Sequence, residues 1–231
     1  MSKQADLVLD SKLETIFDQD RPGQTGHVFV EADAALQRRS VRRVEWWQRQ
    51  RCIGSGGCGT VYLERCISGQ RHVTIRAVKT IPLSASQKRS KLYDRELEAT
   101  SKFSQKRYEI FFVKSLGWFD HQDSLVIAME YMQYGSLQDY LSYAPPMSEA
   151  EAAEISSQIL EGLWKMHDSR FVHRDIKPAD IMVQSGPPAS WWVKIDDFGI
   201  SKRVDWASDT TSTSVKGRSP SWPPRCTALG L

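Results

Sequence analysis

The stretch His173-Arg174-Asp175-Ile176-Lys177-Pro178-Ala179-Asp180 constrains this chain more than any other. It places two cationic side chains, two carboxylates and a proline within eight residues, just before the apolar triplet Ile181-Met182-Val183. Charge at that density does not belong in a core, because a buried ion needs a partner. It reads as a loop between a helix and a strand that concentrates charge for chemistry on an anionic substrate. Upstream, Ser148 with Glu151 has the capping-box pattern. Behind it Ile155, Ile159, Leu160, Leu163 and Met166 recur at helical spacing. That predicts a long helix, buried on one face and ending near Ser169. Downstream, residues 181–184 and 191–195 read as a hairpin across Ser185-Gly186-Pro187-Pro188.

Earlier in the chain, residues 50–53, 61–65, 73–81, 113–119 and 125–129 read as five strands. One helix is inserted among them, opened by Ser84 and Gln87 and running to about Phe103. A short helix begins at Gly135. The expected architecture is α+β with two lobes joined near residues 131–135. Residues 1–45 form an extension of unclear structure, in which Leu7-Val8-Leu9 and His27-Val28-Phe29-Val30 read as short strands. The arginines at 38, 39, 42, 43, 49 and 51 read as a solvated approach to the first strand.

Three constellations carry chemistry besides the charged loop. Gly54-Ser55-Gly56-Gly57-Cys58-Gly59-Thr60-Val61 lies between two strands, where a backbone without Cβ atoms can lie close over phosphates. Lys79 ends the apolar strand of Ala77 and Val78 and needs a counter-ion. Leu92, Glu96, Ala99 and Phe103 share one helical face, so Glu96 points inward as that partner, whereas Glu98 is rotated about 200° away. Asp196-Asp197-Phe198-Gly199 follows a strand, and a carboxylate there suits a magnesium ion on a bendable turn.

Taken together these motifs, in this order, resemble the eukaryotic protein kinases, serine/threonine branch. The resemblance runs from about Trp46 to Gly217. It implies a two-lobed kinase-like fold, with a five-stranded N-lobe sheet and one helix at 46–132. An incomplete helical C-lobe follows at 133–217, with two helices, the catalytic loop, the Asp-Phe-Gly turn and the activation segment. It implies ATP, Mg²⁺ and a protein substrate. Asp175 and Lys177 are the implied catalytic residues, and Asp180 and Asp197 the metal ligands. The implied nucleotide site comprises Gly54, Ser55, Gly56, Gly57, Cys58, Gly59, Val61, Ala77, Lys79, Glu96, Met129, Glu130, Met132 and Met182. Lys177, two places after Asp175, is the serine/threonine feature. Arg174 implies regulation by phosphorylation, with Thr210, Thr211, Ser212, Thr213 and Ser214 as acceptors.

The chain departs from that pattern in three places. Cys58 replaces an aromatic residue at the glycine-loop tip. Asp180 replaces the asparagine of the second metal site and adds negative charge beside Asp175 and Asp197. Residues 218–231 lack apolar periodicity and read as a disordered or out-of-frame tail, where the family has an Ala-Pro-Glu motif and further helices. Read two bases into the Trp222 codon, the codons through Cys226 can encode Ala-Pro-Glu. A catalytically impaired nucleotide- or partner-binding module is therefore the alternative function. Composition bounds the rest. The net charge of +3 is too small to make nucleic acid the main partner. Four unpaired cysteines, no signal-like start and no apolar run of about 20 residues imply an intracellular protein, cytoplasmic or nuclear, without a membrane partner.

Overall fold

A computed structural model describes residues 3–18, 20–33, 38–56, 59–69, 73–83, 92–144, 146–198 and 202–203. Its N-lobe is an antiparallel sheet of β1 (Glu14–Phe17), β2 (Gln24–Asp33), β3 (Arg38–Gly56), β4 (Gly59–Ser68), β5 (Ile75–Pro82), β6 (Ser115–His121) and β7 (Ser124–Glu130). Their order is β1-β2-β3-β4-β5-β7-β6. The sheet thus has seven strands where five were expected. The two additional strands come from the extension, because β3 is 19 residues long and its first half needs a partner. β2 supplies it, pairing Gly26 with Trp46 and Val28 with Val44.

Two further readings of the extension change. Leu7-Val8-Leu9 belongs to α1 (Lys3–Asp10), not to a strand. Three apolar residues cannot separate the two periodicities, and the flanking Lys, Gln and Ala favour helix. The arginine run lies within β3 rather than before it. Along the strand, Arg42 pairs with Glu14 at 2.8 Å, Arg43 with Glu45, and Arg49 lies 4.1 Å over the Tyr62 ring.

A buried polar network fastens the extension to the sheet. Arg76 on β5 donates to Glu64 Oε2 at 2.7 Å and to His27 Nε2 at 2.9 Å, and lies 4.1 Å over the Trp47 ring. With Nε2 accepting from the guanidinium, Nδ1 carries the ring proton and donates to Thr15 Oγ1 at 3.0 Å. His27, Glu64, Arg76 and Trp47 are all buried.

The helices and the second half of the chain follow the sequence closely. α2 (Leu92–Phe103) ends where expected, while its expected start at Ser84 and Gln87 lies outside the described residues. α3 (Leu137–Tyr143) and α4 (Glu149–Asp168) both begin with complete capping boxes, at Ser136/Asp139 and Ser148/Glu151. β8 (Phe171–Val172) pairs with β11 (Lys202–Arg203), and β9 (Ile181–Ser185) with β10 (Trp192–Ile195). α4 buries Ile155 and Met166 against Phe103, Phe112, Phe171 and Ile195, with Ile159 and Leu163 partly covered. Leu160, expected on that face, is instead 66% exposed. It adjoins Ile159 in sequence and so lies about 100° around the helix from it. Backbone bonds join the lobes: Val113 donates to Ile195 O at 3.0 Å and Ile195 to Phe111 O at 2.8 Å.

Burial and the Arg76 charge push the His27 pKa down from 6.5 to about 3. Between those values the unfolded chain binds the proton that the fold refuses. Stability is therefore unaffected above pH 6.5 and lost below it, at up to about 1.4 kcal/mol per pH unit. Between about pH 7 and about pH 5.5, denaturant unfolding should show the wild type losing about 1 kcal/mol relative to a variant without this imidazole. The His27→Gln variant, which keeps one donor and one acceptor, should lose less.

Candidate active site

Lys79 lies in the middle of the sheet, opposite Val61 on β4 and Ile127 on β7. It is 9% exposed, and its ammonium is held by two carboxylates: Glu96 Oε1 at 3.1 Å and Asp197 Oδ1 at 2.8 Å. Burial works against its charge, but Glu96 and Asp197 outweigh burial and hold the pKa above the ordinary lysine value. Glu96 faces inward beside the fully buried Ala99 and Phe103, as the spacing of that helix requires.

Asp197 reaches Lys79 from a turn whose backbone is under strain. Its φ is 58°, and Arg174, on the loop opposite, has a φ of 74°. Non-glycine residues in this region cost about 1–3 kcal/mol each and persist only where their surroundings fix them. Here those surroundings are explicit. The Phe198 ring is buried, stacked on Phe103 at 5.5 Å and near Phe112 at 5.8 Å and His173 at 6.4 Å. His173 Nε2 donates to Asp196 O at 3.1 Å, and Asp196 N donates to Asp180 O at 2.8 Å. The turn and the charged loop are thus bonded into one unit. Sequence reasoning assigned no role to Phe198, His173 or Lys194. Lys194 is buried between Val193 and Ile195 and donates to Glu130 Oε1 at 2.7 Å. A lysine in an apolar strand was the available signal, the same one that singled out Lys79.

On the loop, Lys177 Nζ lies 3.1 Å from Asp175 Oδ2 and 3.5 Å from Asp180 Oδ1. The hydrogen bond that Lys177 donates to the Asp175 carboxylate is the main reason that the Lys177 pKa is raised. The Asp175 side chain is 53% exposed, open to an incoming group, whereas that of Asp180 is 5% exposed.

Several of the remaining sequence candidates share one apolar cluster. Ala77, Met129 and Met132 are buried in one apolar cluster with Leu97 and Ile127, and Val61 and Met182 pack against it. Gly54, Ser55 and Gly56 pair with Val61, Thr60 and Gly59 across the β3–β4 turn. Gly57 and Cys58 lie outside the described residues, as do Thr210, Thr211, Ser212, Thr213, Ser214 and the tail from 218. Gly59 has a φ of 122°, and a Cβ there would stand 2.4 Å from Thr80 O, so no other residue fits. The Glu130 carboxylate also accepts from Lys114 N at 2.7 Å. A pocket opens between the lobes, lined by Lys79, Glu96, Thr100, Met129, Asp197 and Phe198 among others.

Among the described residues no group of three or more His, Cys, Asp and Glu could hold a metal ion. Asp180 and Asp197 nevertheless fit Mg²⁺, which is commonly bound by one or two carboxylates together with substrate phosphates. Each raises the other's negative surroundings: the Asp197 charge is one cause of the elevated Asp180 pKa. Among the described residues no helix is long and apolar enough to cross a membrane.

A family model described as protein kinase domain matches residues 47–224. Over 177 residues the chain is 30% identical to the mitogen-activated protein kinase kinase kinase ANP1 of Arabidopsis thaliana, covering 76% of this chain and 26% of that protein. It is 32% identical over 181 residues to mitogen-activated protein kinase kinase kinase 3 of Homo sapiens, covering 76% and 28%. It is also 32% identical over 166 residues to the serine/threonine-protein kinase pkn3 of Myxococcus xanthus, covering 71% and 29%. The chain therefore spans less than a third of the length of each of these relatives.

Burial raises the Asp180 pKa from 3.8 to about 6, and Lys177 offsets that only in part. Stability from this group is full below pH 3.8 and lost as the pH rises through 6, since the fold must ionise a carboxyl that the unfolded chain ionises freely. About two pH units correspond to roughly 3 kcal/mol. Asp180→Asn should therefore raise the unfolding free energy of the ligand-free protein by about 2–3 kcal/mol above pH 6, with the gain shrinking toward pH 4. Chemical denaturation across that range measures it.

Proposed function

The chain belongs to the protein kinase family and is by family a protein serine/threonine kinase; we propose that it transfers the terminal phosphoryl group of ATP to serine or threonine hydroxyls of protein substrates. The observation that carries this reading is the buried contact of Lys79 with both Glu96 and Asp197. A lysine fixed by a helix carboxylate, beside a second carboxylate at a strand end, is the arrangement that phosphoryl transfer needs for phosphates and their counter-ion.

In this reading Lys79 binds the α- and β-phosphates and Glu96 fixes its position. Gly54, Ser55, Gly56, Gly57, Cys58 and Gly59 cover the phosphates with backbone amides. Val61, Ala77 and Met182 hold the adenine ring, Met129 closes the back of its pocket, and the backbones of Glu130 and Met132 meet its edge. Asp197 and Asp180 would hold Mg²⁺, which when bound would supply neutralisation of the phosphate charge. Asp175 accepts a hydrogen bond from the substrate hydroxyl and orients it. As the oxygen–phosphorus bond forms, the bond from phosphorus to the ADP oxygen breaks and the hydroxyl proton passes to Asp175. Lys177, already 3.1 Å from Asp175, stabilises charge on the transferred group.

One observation favours a second reading, in which the chain binds nucleotide or a partner without efficient transfer. The Asp180 carboxyl is buried and its pKa is raised, so a negative charge there is costly where an asparagine would be neutral.

Transfer of labelled phosphate from MgATP to a generic protein substrate distinguishes the two. Under the first reading the wild type transfers label, and Lys79→Met and Asp175→Asn each reduce it by about 10²-fold or more. Equal label from all three proteins assigns the transfer to another source. Under the second reading none transfers, yet saturating MgATP at about 100 times its Kd still stabilises the wild type by about 2.7 kcal/mol.

A further inference from the structure

The extension before β1 reaches the helix that carries Glu96. α1 packs on α2. The Val8 side chain joins the apolar cluster containing Leu97, the residue after Glu96, and Trp118. Ser11 Oγ lies 2.9 Å from Ser101 Oγ on α2, and Ser101 is buried. The other side of the segment is fastened to β6. Trp118 Nε1 donates to Val8 O at 2.8 Å, Leu13 N donates to Trp118 O at 2.7 Å, and Trp118 N donates to Ser11 O at 3.1 Å. Lys12 pairs with Asp120 at 2.7 Å. Gly117 makes room for this, since a Cβ there would meet Leu13 Cγ at 2.7 Å and Ser11 O at 2.9 Å.

A helix of 12 residues holds its orientation in water poorly by itself. The ion pair at Glu96 restrains one point of α2. The Ser101 contact, five residues on and so about 7.5 Å along the axis, restrains a second from outside the sheet. We propose that residues 8–13 act as a built-in brace on α2, with Val8, Ser11 and Trp118 as positioning residues that keep Glu96 on Lys79. The proposal rests on the kinase reading only for its consequence, nucleotide binding; the mechanical part stands on these contacts.

Val8→Asp puts a charge into the α1–α2 contact, whereas Leu9→Asp makes the same change at a position that is 57% exposed. In the full chain, amide exchange of residues 92–103 and the Kd for MgATP are measured for both variants and the wild type. The brace requires Val8→Asp to accelerate exchange in 92–103 by about tenfold or more while the centres of β4 and β5 keep their protection. It also requires a Kd about tenfold weaker, with Leu9→Asp matching the wild type. Uniformly faster exchange with an unchanged Kd describes a purely structural segment and overturns the proposal, as does unchanged exchange in 92–103. A rescue covers the case in which Val8→Asp folds poorly. Adding Ser11→Cys and Ser101→Cys allows a disulfide to replace the hydroxyl contact, and oxidation should restore both protection and affinity. Failure to restore them in the crosslinked protein counts against the brace. A wild type without MgATP affinity refutes the nucleotide reading instead, and exchange alone then decides on the brace.

Discussion

The charge on Lys79 organises this molecule. An ammonium in the middle of a sheet loses its hydration, and nothing but nearby negative charge restores the balance. The two carboxylates that do so come from segments far apart in the chain, α2 and the turn after β10. One cation therefore fixes the angle of a helix and the path of a turn at once. The turn is then locked from the other side by the Phe198 ring against Phe103 and by the His173 bond to Asp196 O. Strain at Asp197 and Arg174 is tolerable because both neighbourhoods are over-determined.

How much of this could be read in advance follows from the range of each interaction. Lys79 with Glu96 was legible because a lysine in an apolar strand demands a partner and the helical spacing names one. Both capping boxes at α3 and α4 are local, although only the one at Ser148 was read from the sequence. The roles of Phe198, His173 and Lys194 consist of contacts between segments far apart in the chain, which no local pattern encodes. Leu160 was misplaced because a single step around a helix carries a residue off the buried face. Leu7-Val8-Leu9 was misread because three apolar residues are too few to reveal a period.

The extension shows the same division. Its second strand was visible in His27-Val28-Phe29-Val30, but its attachment was not. The network of Thr15, His27, Arg76, Glu64 and Trp47 joins β1, β2, β3, β4 and β5 through direct side-chain contacts. Such a network favours one register, since slipping β2 by a residue would take the buried imidazole away from the guanidinium and from Thr15. The extension is thereby part of the N-lobe's sheet rather than an appendage.

The sheet ends on one side at β6. An outermost strand offers unsatisfied amides and carbonyls to any other extended chain, and open edges of this kind seed intermolecular association. Here a bulge at Gly117 turns the strand, and residues 11–13 take up both the amide and the carbonyl of Trp118. The same few residues that lie against α2 therefore close a sticky margin. A molecule in which they came loose would offer its neighbours a template for polymerisation.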